Sequence, residues 1–261
     1  MSAIARKLSA CTAPAAGPVG FSPSDLASCI AWYDASDSST ISLSGSVVVE
    51  WRDKINGLQN TNLGSPTYDS INQEVTVPLG ANLDNNTTSL ASVNDPSLTY
   101  VFLVKFPVLA TGTGYEDRFF GLGGDLRLGY AHVGAGLGGY SWRYSFRDPE
   151  AFQALTSVSA NTKYILSYSR LPESTNEIFQ NGTSVGSGTM DSPIFLRGVG
   201  ASVRIGDPER KDVNMATIFS EIIVLETVST SDRQKCEGYL AHKWGQTALL
   251  PSSHPYKTVA P

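Results

Sequence analysis

Apolar positions in this chain come in short runs or strict alternations, separated by clusters of Gly, Asn, Asp and Ser. In Ala216–Leu225 every position from Ile222 on is apolar, and Ile222, Ile223 and Val224 are β-branched. That pattern predicts a central strand covered on both faces. Thr99–Phe106 puts Tyr100, Phe102, Val104 and Phe106 on one face and Val101, Leu103 and Lys105 on the other, which predicts a second core strand. Shorter runs at Ile30–Tyr33, Val47–Trp51, Glu74–Val77, Arg118–Leu122, Leu126–Tyr130, Lys163–Tyr168, Glu177–Gln180, Thr183–Val185 and Val203–Ile205 bring the total to about a dozen strands. Turn signals lie between them at Asn56-Gly57, Gly123-Gly124-Asp125 and Asn181-Gly182. Many short strands joined by turns predict an all-β sandwich or barrel.

One segment follows a helical period instead. Ser229 is placed to cap a helix, with Asp232 three residues on, and the helix is expected to run to about Trp244, where Gly245 supplies a left-handed stop. Its inward stripe is Cys236, Tyr239, Leu240, Lys243 and Trp244, with the Lys243 stem snorkelling towards water. Pro251 and Pro255 keep the chain extended beyond it. At the other end, residues 1–20 are rich in Ala, Pro and Gly without periodicity and predict an extended arm, either a loose leader or an anchor for a partner. Phe21–Leu26 offers a short capped helical turn, with Ser22 before Pro23. No composition break follows, so residues 21–261 are expected to form one domain.

Composition removes several function classes. A net charge of −5 with no block of Lys or Arg after Lys7 argues against a nucleic-acid groove. No run approaches the ~18 apolar residues of a membrane span. Leu8-Ser9-Ala10-Cys11 has the look of a lipoprotein cleavage box, but Arg6 and Lys7 abut it and leave no apolar segment, so no signal peptide is expected and synthesis in the cytoplasm follows. Cys11, Cys29 and Cys236 are odd in number and far apart, which suits neither a disulfide framework nor a metal site.

At both ends the residues resemble a known family. Phe21-Ser-Pro-Ser-Asp-Leu26, Ala31-Trp-Tyr-Asp-Ala-Ser36 and Trp51-Arg-Asp-Lys54 look like the opening of concanavalin A-like (laminin-G-like) jelly-roll domains of bacteriophage tail, fibre and virion surface proteins. Glu221–Leu225, Arg233–Gly245 and Leu250–Tyr256 look like their close. The resemblance implies two packed antiparallel sheets with the C-terminal helix outside. By itself the resemblance implies no activity; together with the arm, the missing signal and the absence of a catalytic set it leads to the expectation of a non-enzymatic virion structural or adhesion protein, as a fibre, tail or capsid decoration, that meets other virion proteins through the arm and host surface glycans through a lectin-like domain. The family's use in fibres implies a homotrimer. Because one fold carries many activities, a bacterial carbohydrate-binding or adhesin domain and a glycoside hydrolase stand as alternatives.

The candidate chemistry is sparse. Glu221 and Glu226 are the nearest match to a glycosidase carboxylate pair, but an odd spacing sends them to opposite faces of a regular strand, and Ile223 stands where a helper carboxylate is needed. His132, His242 and His254 are scattered, His242 reading as a surface helix residue and His254 as a packing residue of the tail. No cofactor is expected. Asp34, Ser36 and Asp37 are hard oxygen donors that make calcium a competing reading, against the simpler one in which they cap their own loop. The stretch Gly129–Phe146 holds the best binding candidates, Tyr130, His132, Tyr140, Trp142 and Arg143, since sugars take aromatic faces and orienting polar groups. Yet Tyr140, Trp142, Tyr144 and Phe146 alternate with Ser141, Arg143 and Ser145 as a core strand would. Trp32, Trp51, Tyr239 and Trp244 read as a structural clamp holding the terminal segments to the sandwich.

Overall fold

The computed structural model describes residues 20–78, 80–85, 97–107, 116–122, 126–133, 139–146, 151–156, 158–171, 174–189, 203–206 and 216–261, with backbone only at 116–118, 122, 126–133, 139–146 and 151–156. These residues form β1 (Cys29–Asp34), β2 (Ile41–Ser44), β3 (Val47–Arg52), β4 (Gln59–Leu63), β5 (Thr67–Asp69), β6 (Glu74–Val77), β7 (Asn82–Asp84), β8 (Leu98–Lys105) and β9 (Glu116–Leu122). Then follow β10 (Leu126–Val133), β11 (Gly139–Phe146), β12 (Ala151–Thr156), β13 (Lys163–Arg170), β14 (Thr175–Gln180), β15 (Thr183–Thr189), β16 (Val203–Gly206), β17 (Thr217–Leu225) and the helix α1 (Thr230–Lys243).

All pairings are antiparallel and separate into two layers. In the first, β1 and β6 share one edge of β17, and β8, β13, β14 and β15 follow on the other. The second runs β2, β3, β4, β7, β16, β9, β10, β11, β12. β5 pairs with both β3 and β6 and carries the ladder from one layer to the other. Between the layers lies an apolar interior that includes Tyr33, Trp51, Tyr100, Phe102, Phe120, Leu166 and Ile222. A second apolar cluster, with Trp32, Val101, Leu103, Ile223 and Leu225 beneath Cys236, Tyr239 and Leu240, fills the space between the first sheet and α1. The molecule is therefore an all-β sandwich with its C-terminal helix packed outside, and β17 is buried on both faces.

A bulge sets the phase of β17. Against β8 the register slips between Phe219 and Glu221, leaving Ser220 as the extra residue. Phe219 faces the interior, and so do Ile222 and Val224 after the slip, while Ile223 and Leu225 face the helix. In an unbroken strand Phe219 and Glu221 would share a face. Ser220 thus turns Glu221 towards α1, and its carbonyl accepts from the Ala35 amide at 3.0 Å.

Of the strands absent from the sequence reading, β2, β4, β5 and β7 are short or polar, whereas β12, with the sequence AFQALT, is neither. In β4 only Asn60 is buried, its amide donating to the Leu83 and Val203 carbonyls and its oxygen accepting from the Tyr33 hydroxyl. A strand whose inward residue is an asparagine shows no apolar alternation. The outer edge of β1 is completed by two side chains and one backbone amide: the Asp53 carboxylate accepts from the Trp32 amide at 2.7 Å, the Asn56 side chain donates to the Ile30 carbonyl, and the Lys54 backbone amide donates to the Trp32 carbonyl.

The helix begins at Ser229, whose hydroxyl accepts from the Asp232 amide at 3.2 Å, and Gly245 beyond it has φ +65. The chain after α1 folds back as a tail. Gly238 is buried beneath Tyr256, and a methyl group there would overlap the tyrosine ring. Gly238→Ala is expected to destabilise the protein by about 1–3 kcal/mol, as overpacked sites do. Urea unfolding measures the loss, and faster trimming of the tail by carboxypeptidase should accompany it.

Candidate functional site

β10 and β11 form a two-stranded ribbon within the second sheet whose register sets Tyr130 opposite Trp142 and His132 opposite Tyr140. Cross-strand partners, and positions two apart, share a face. These four positions therefore belong to one face and Arg143, opposite Gly129, to the other. Their side chains lie outside the described residues, as do the Gly-Gly-Asp turn at 123–125 and the arm with Cys11.

A polar centre sits between the first sheet and α1. Glu221 is fully buried. Its Oε1 accepts from the Trp32 indole at 2.6 Å, and its Oε2 accepts from the Trp244 indole at 2.7 Å and the Lys243 ammonium at 2.8 Å. Lys243 also reaches Asp34 Oδ1 at 2.7 Å, and Asp34 Oδ2 pairs with Lys54 at 3.1 Å. Lys54 closes the chain on Asp37 at 2.9 Å. Burial and the neighbouring Asp34 charge raise the Glu221 pKa, only partly offset by Lys243 and Trp244. Burial acts on Asp34 in the same sense, but Lys243, Ser36 and Lys54 together outweigh it and hold that carboxyl below its ordinary value.

A second buried carboxylate lies on the same side. Glu237 accepts from Arg233 at 2.6 Å and from the Ser167 hydroxyl at 2.7 Å, and His254 Nε2 stands 3.2 Å from its other oxygen. Because His254 Nδ1 accepts from the Tyr256 amide, Nε2 is the nitrogen that carries hydrogen towards Glu237. The Arg233 guanidinium lies 3.5 Å from the centroid of the Phe179 ring.

These contacts place most of the residues singled out from the sequence. Trp32, Tyr239 and Trp244 meet in the helix–sheet layer, with Phe21 edge-on to Tyr239 at 6.0 Å. Trp51 does not join them; it packs between the sheets, edge-on to Tyr33 at 5.6 Å, because its strand belongs to the other layer. Lys243 does not snorkel, since its ammonium ends on two buried carboxylates and not in water. The Asp34 and Asp37 carboxylates, the donors of the calcium reading, are engaged by lysines and by Ser36 and Ser39. Among the described residues no group of three or more His, Cys, Asp or Glu is placed to hold a metal. Glu221 and Glu226 are not a facing pair, Glu226 lying past the end of β17. His242 is half-buried, with Nε2 2.9 Å from the Tyr256 carbonyl. His132 lies on β10. Glu237 and Arg233 were missed, although an opposite-charge pair four residues apart beside the stripe of Cys236 and Leu240 was the available signal.

No protein-family model and no curated protein matches the chain. Among solved structures it resembles Trypanosoma rangeli sialidase, with 15% identity and a TM-score of 0.56 over 83% of this chain and 33% of that one. It also resembles the binding domain of botulinum neurotoxin DC in complex with SialylT, with 8% identity and a TM-score of 0.57 over 82% and 51% of the two chains. The serotype D ligand binding domain with N-acetylneuraminic acid gives 11% identity and a TM-score of 0.52 over 78% and 49%. The chain thus spans about a third of the sialidase and half of the neurotoxin domains. At such identities the likeness shows the fold alone, an antiparallel β-sandwich of the jelly-roll kind with one C-terminal helix. The expectation of a non-enzymatic protein is corrected here: sialidases are enzymes, so this fold forms part of catalytic chains. No helix among the described residues is long and apolar enough to cross a membrane.

Asp34→Asn is expected to cost about 3 kcal/mol at pH 7, because it leaves buried ammonium and carboxylate groups partly unpaired. A carboxyl whose native pKa is lowered stabilises the fold above its unfolded value, 3.8, and that contribution is lost as pH falls through the lower native value. Urea titrations of both proteins should therefore converge below pH 3.8, and a gap independent of pH would contradict the assignment.

Proposed function

We propose that the chain is a glycan-binding module of a bacteriophage particle, presenting its lectin-like sandwich to surface glycans of the host and held to other virion proteins through residues 1–20. The reading is carried by the lectin-like sandwich itself; Tyr130, His132, Tyr140 and Trp142, which the register of β10 and β11 sets on one face, are proposed as the platform that meets the C–H faces of sugars. Two further observations support it. Sandwiches of this fold include neurotoxin binding domains in complex with SialylT and with N-acetylneuraminic acid, and a sialidase in complex with sialic acid. The motifs at both ends of the chain resemble those of phage tail and virion surface proteins.

The full chain, applied to a glycan array that includes sialylated oligosaccharides, should bind at least one glycan class. Trp142→Ala and Tyr130→Ala should each weaken that binding about tenfold or more, equivalent to ~1.4 kcal/mol. An array without signal, or binding unchanged by both substitutions, counts against the platform. Mass spectrometry of purified particles of the encoding phage should find the full chain and not a form lacking residues 1–20. Its absence from particles would refute the virion placement while leaving glycan binding to the array.

A further inference from the structure

We infer that the polar centre beneath α1 is a preformed binding box for a primary alkylammonium ion, occupied in the native protein by the side chain of Lys243. The ammonium lies 5.3 Å from the centroid of Trp244, 5.4 Å from that of Tyr239 and 5.9 Å from that of Trp32, all within cation–π range. Two carboxylate oxygens, Asp34 Oδ1 at 2.7 Å and Glu221 Oε2 at 2.8 Å, accept from it. Aromatic rings and paired carboxylates are the groups from which cation receptors are built, and two of these rings are shared, Trp32 with Lys54 at 4.1 Å and Trp244 with Lys163 at 5.1 Å.

The box is largely built without Lys243. Trp32 and Asp34 come from β1 and Glu221 from β17, strands paired to each other, with Trp32 opposite Ile223 and Asp34 opposite Glu221. The indole hydrogens of Trp32 and Trp244 hold the Glu221 oxygens in place, and Lys54 holds the other oxygen of Asp34. The pairing favours a cation. Asp34, Asp37 and Glu221 are served by Lys54 and Lys243, so truncating Lys243 leaves Lys54 as the ammonium paired to this group of three carboxyls and takes from Glu221 its ammonium partner. The geometry also selects the kind of cation. The two carboxylate contacts are hydrogen bonds, which a primary ammonium makes and a quaternary ammonium, lacking N–H groups, cannot.

Lys243→Ala removes the three outer methylenes and the ammonium, which n-propylammonium replaces atom for atom. The full-length variant should melt roughly 5–15 °C below the native protein, as expected for an unpaired buried charge. n-Propylammonium chloride should restore about half of that loss or more, saturably, whereas sodium chloride, tetramethylammonium chloride and n-propanol at equal concentration should not. Lys243→Met fills the stem's channel without charge, so it should be destabilised and unresponsive to the amine. If Lys243→Ala folds only when n-propylammonium is present, the box is supported. The proposal is overturned if the variant melts with the native protein, if it folds in neither solution, if sodium chloride or tetramethylammonium restores it as well as n-propylammonium does, or if Lys243→Met responds equally.

Discussion

A carboxylate with no access to water sits on β17, the longest of the described strands, and the outer layer is arranged around satisfying it. An ionised group removed from water costs several kcal/mol unless good geometry compensates. Glu221 obtains that geometry from β1 through Trp32, from the end of α1 through Lys243 and Trp244, and indirectly from Asp34 and Lys54. Each partner stands at a defined distance along its own segment. Slipping the helix by one turn or β1 by one residue would strand the charge, whereas an all-apolar contact would tolerate either shift. The network therefore specifies the docking more than it strengthens it.

The second buried carboxylate divides that task. Glu221 fastens the C-terminal end of α1, while Glu237, one face round and nearer the middle, fastens the helix to β13 through Ser167 and to the tail through His254. Lys257 completes the tail by donating to the carbonyls of Thr247, Ala248 and Leu250. The residues after Gly245 form no long element, yet their turns are tied at both ends, and the Asn181-Gly182 turn of the neighbouring hairpin packs under His254 and Pro251. In this way the last part of the chain becomes a cover for the first sheet.

The fold was legible where burial is apolar. β8, β13, β17 and α1 announced themselves through runs and periods, and the Asn181-Gly182 hairpin through its turn residues, both of which have φ above zero. It was illegible where burial is polar. β4 and β7 enter the sheet with Asn60, Asn82 and Asp84 buried, and polar residues at buried positions leave no hydrophobic period. The site divides in the same manner. The aromatic members of the polar centre could be recognised as packing residues, but the fate of Glu221 could not, because it turns on the bulge at Ser220. A bulge arises from pairing with another strand and is not encoded in the residues around it. That an expected snorkelling lysine ends on two carboxylates from distant strands has the same origin, since only the fold brings Asp34 and Glu221 side by side.

The edge of β1 carries one further implication. Strand edges with open amide and carbonyl groups recruit other strands, and natural sheets blunt them. Here the Asp53 carboxylate, the Asn56 amide and the Lys54 backbone occupy the groups that an incoming strand would seek at Ile30 and Trp32. Many copies of such a domain can therefore stand close together on one support without this margin of the sheet zippering to its neighbours.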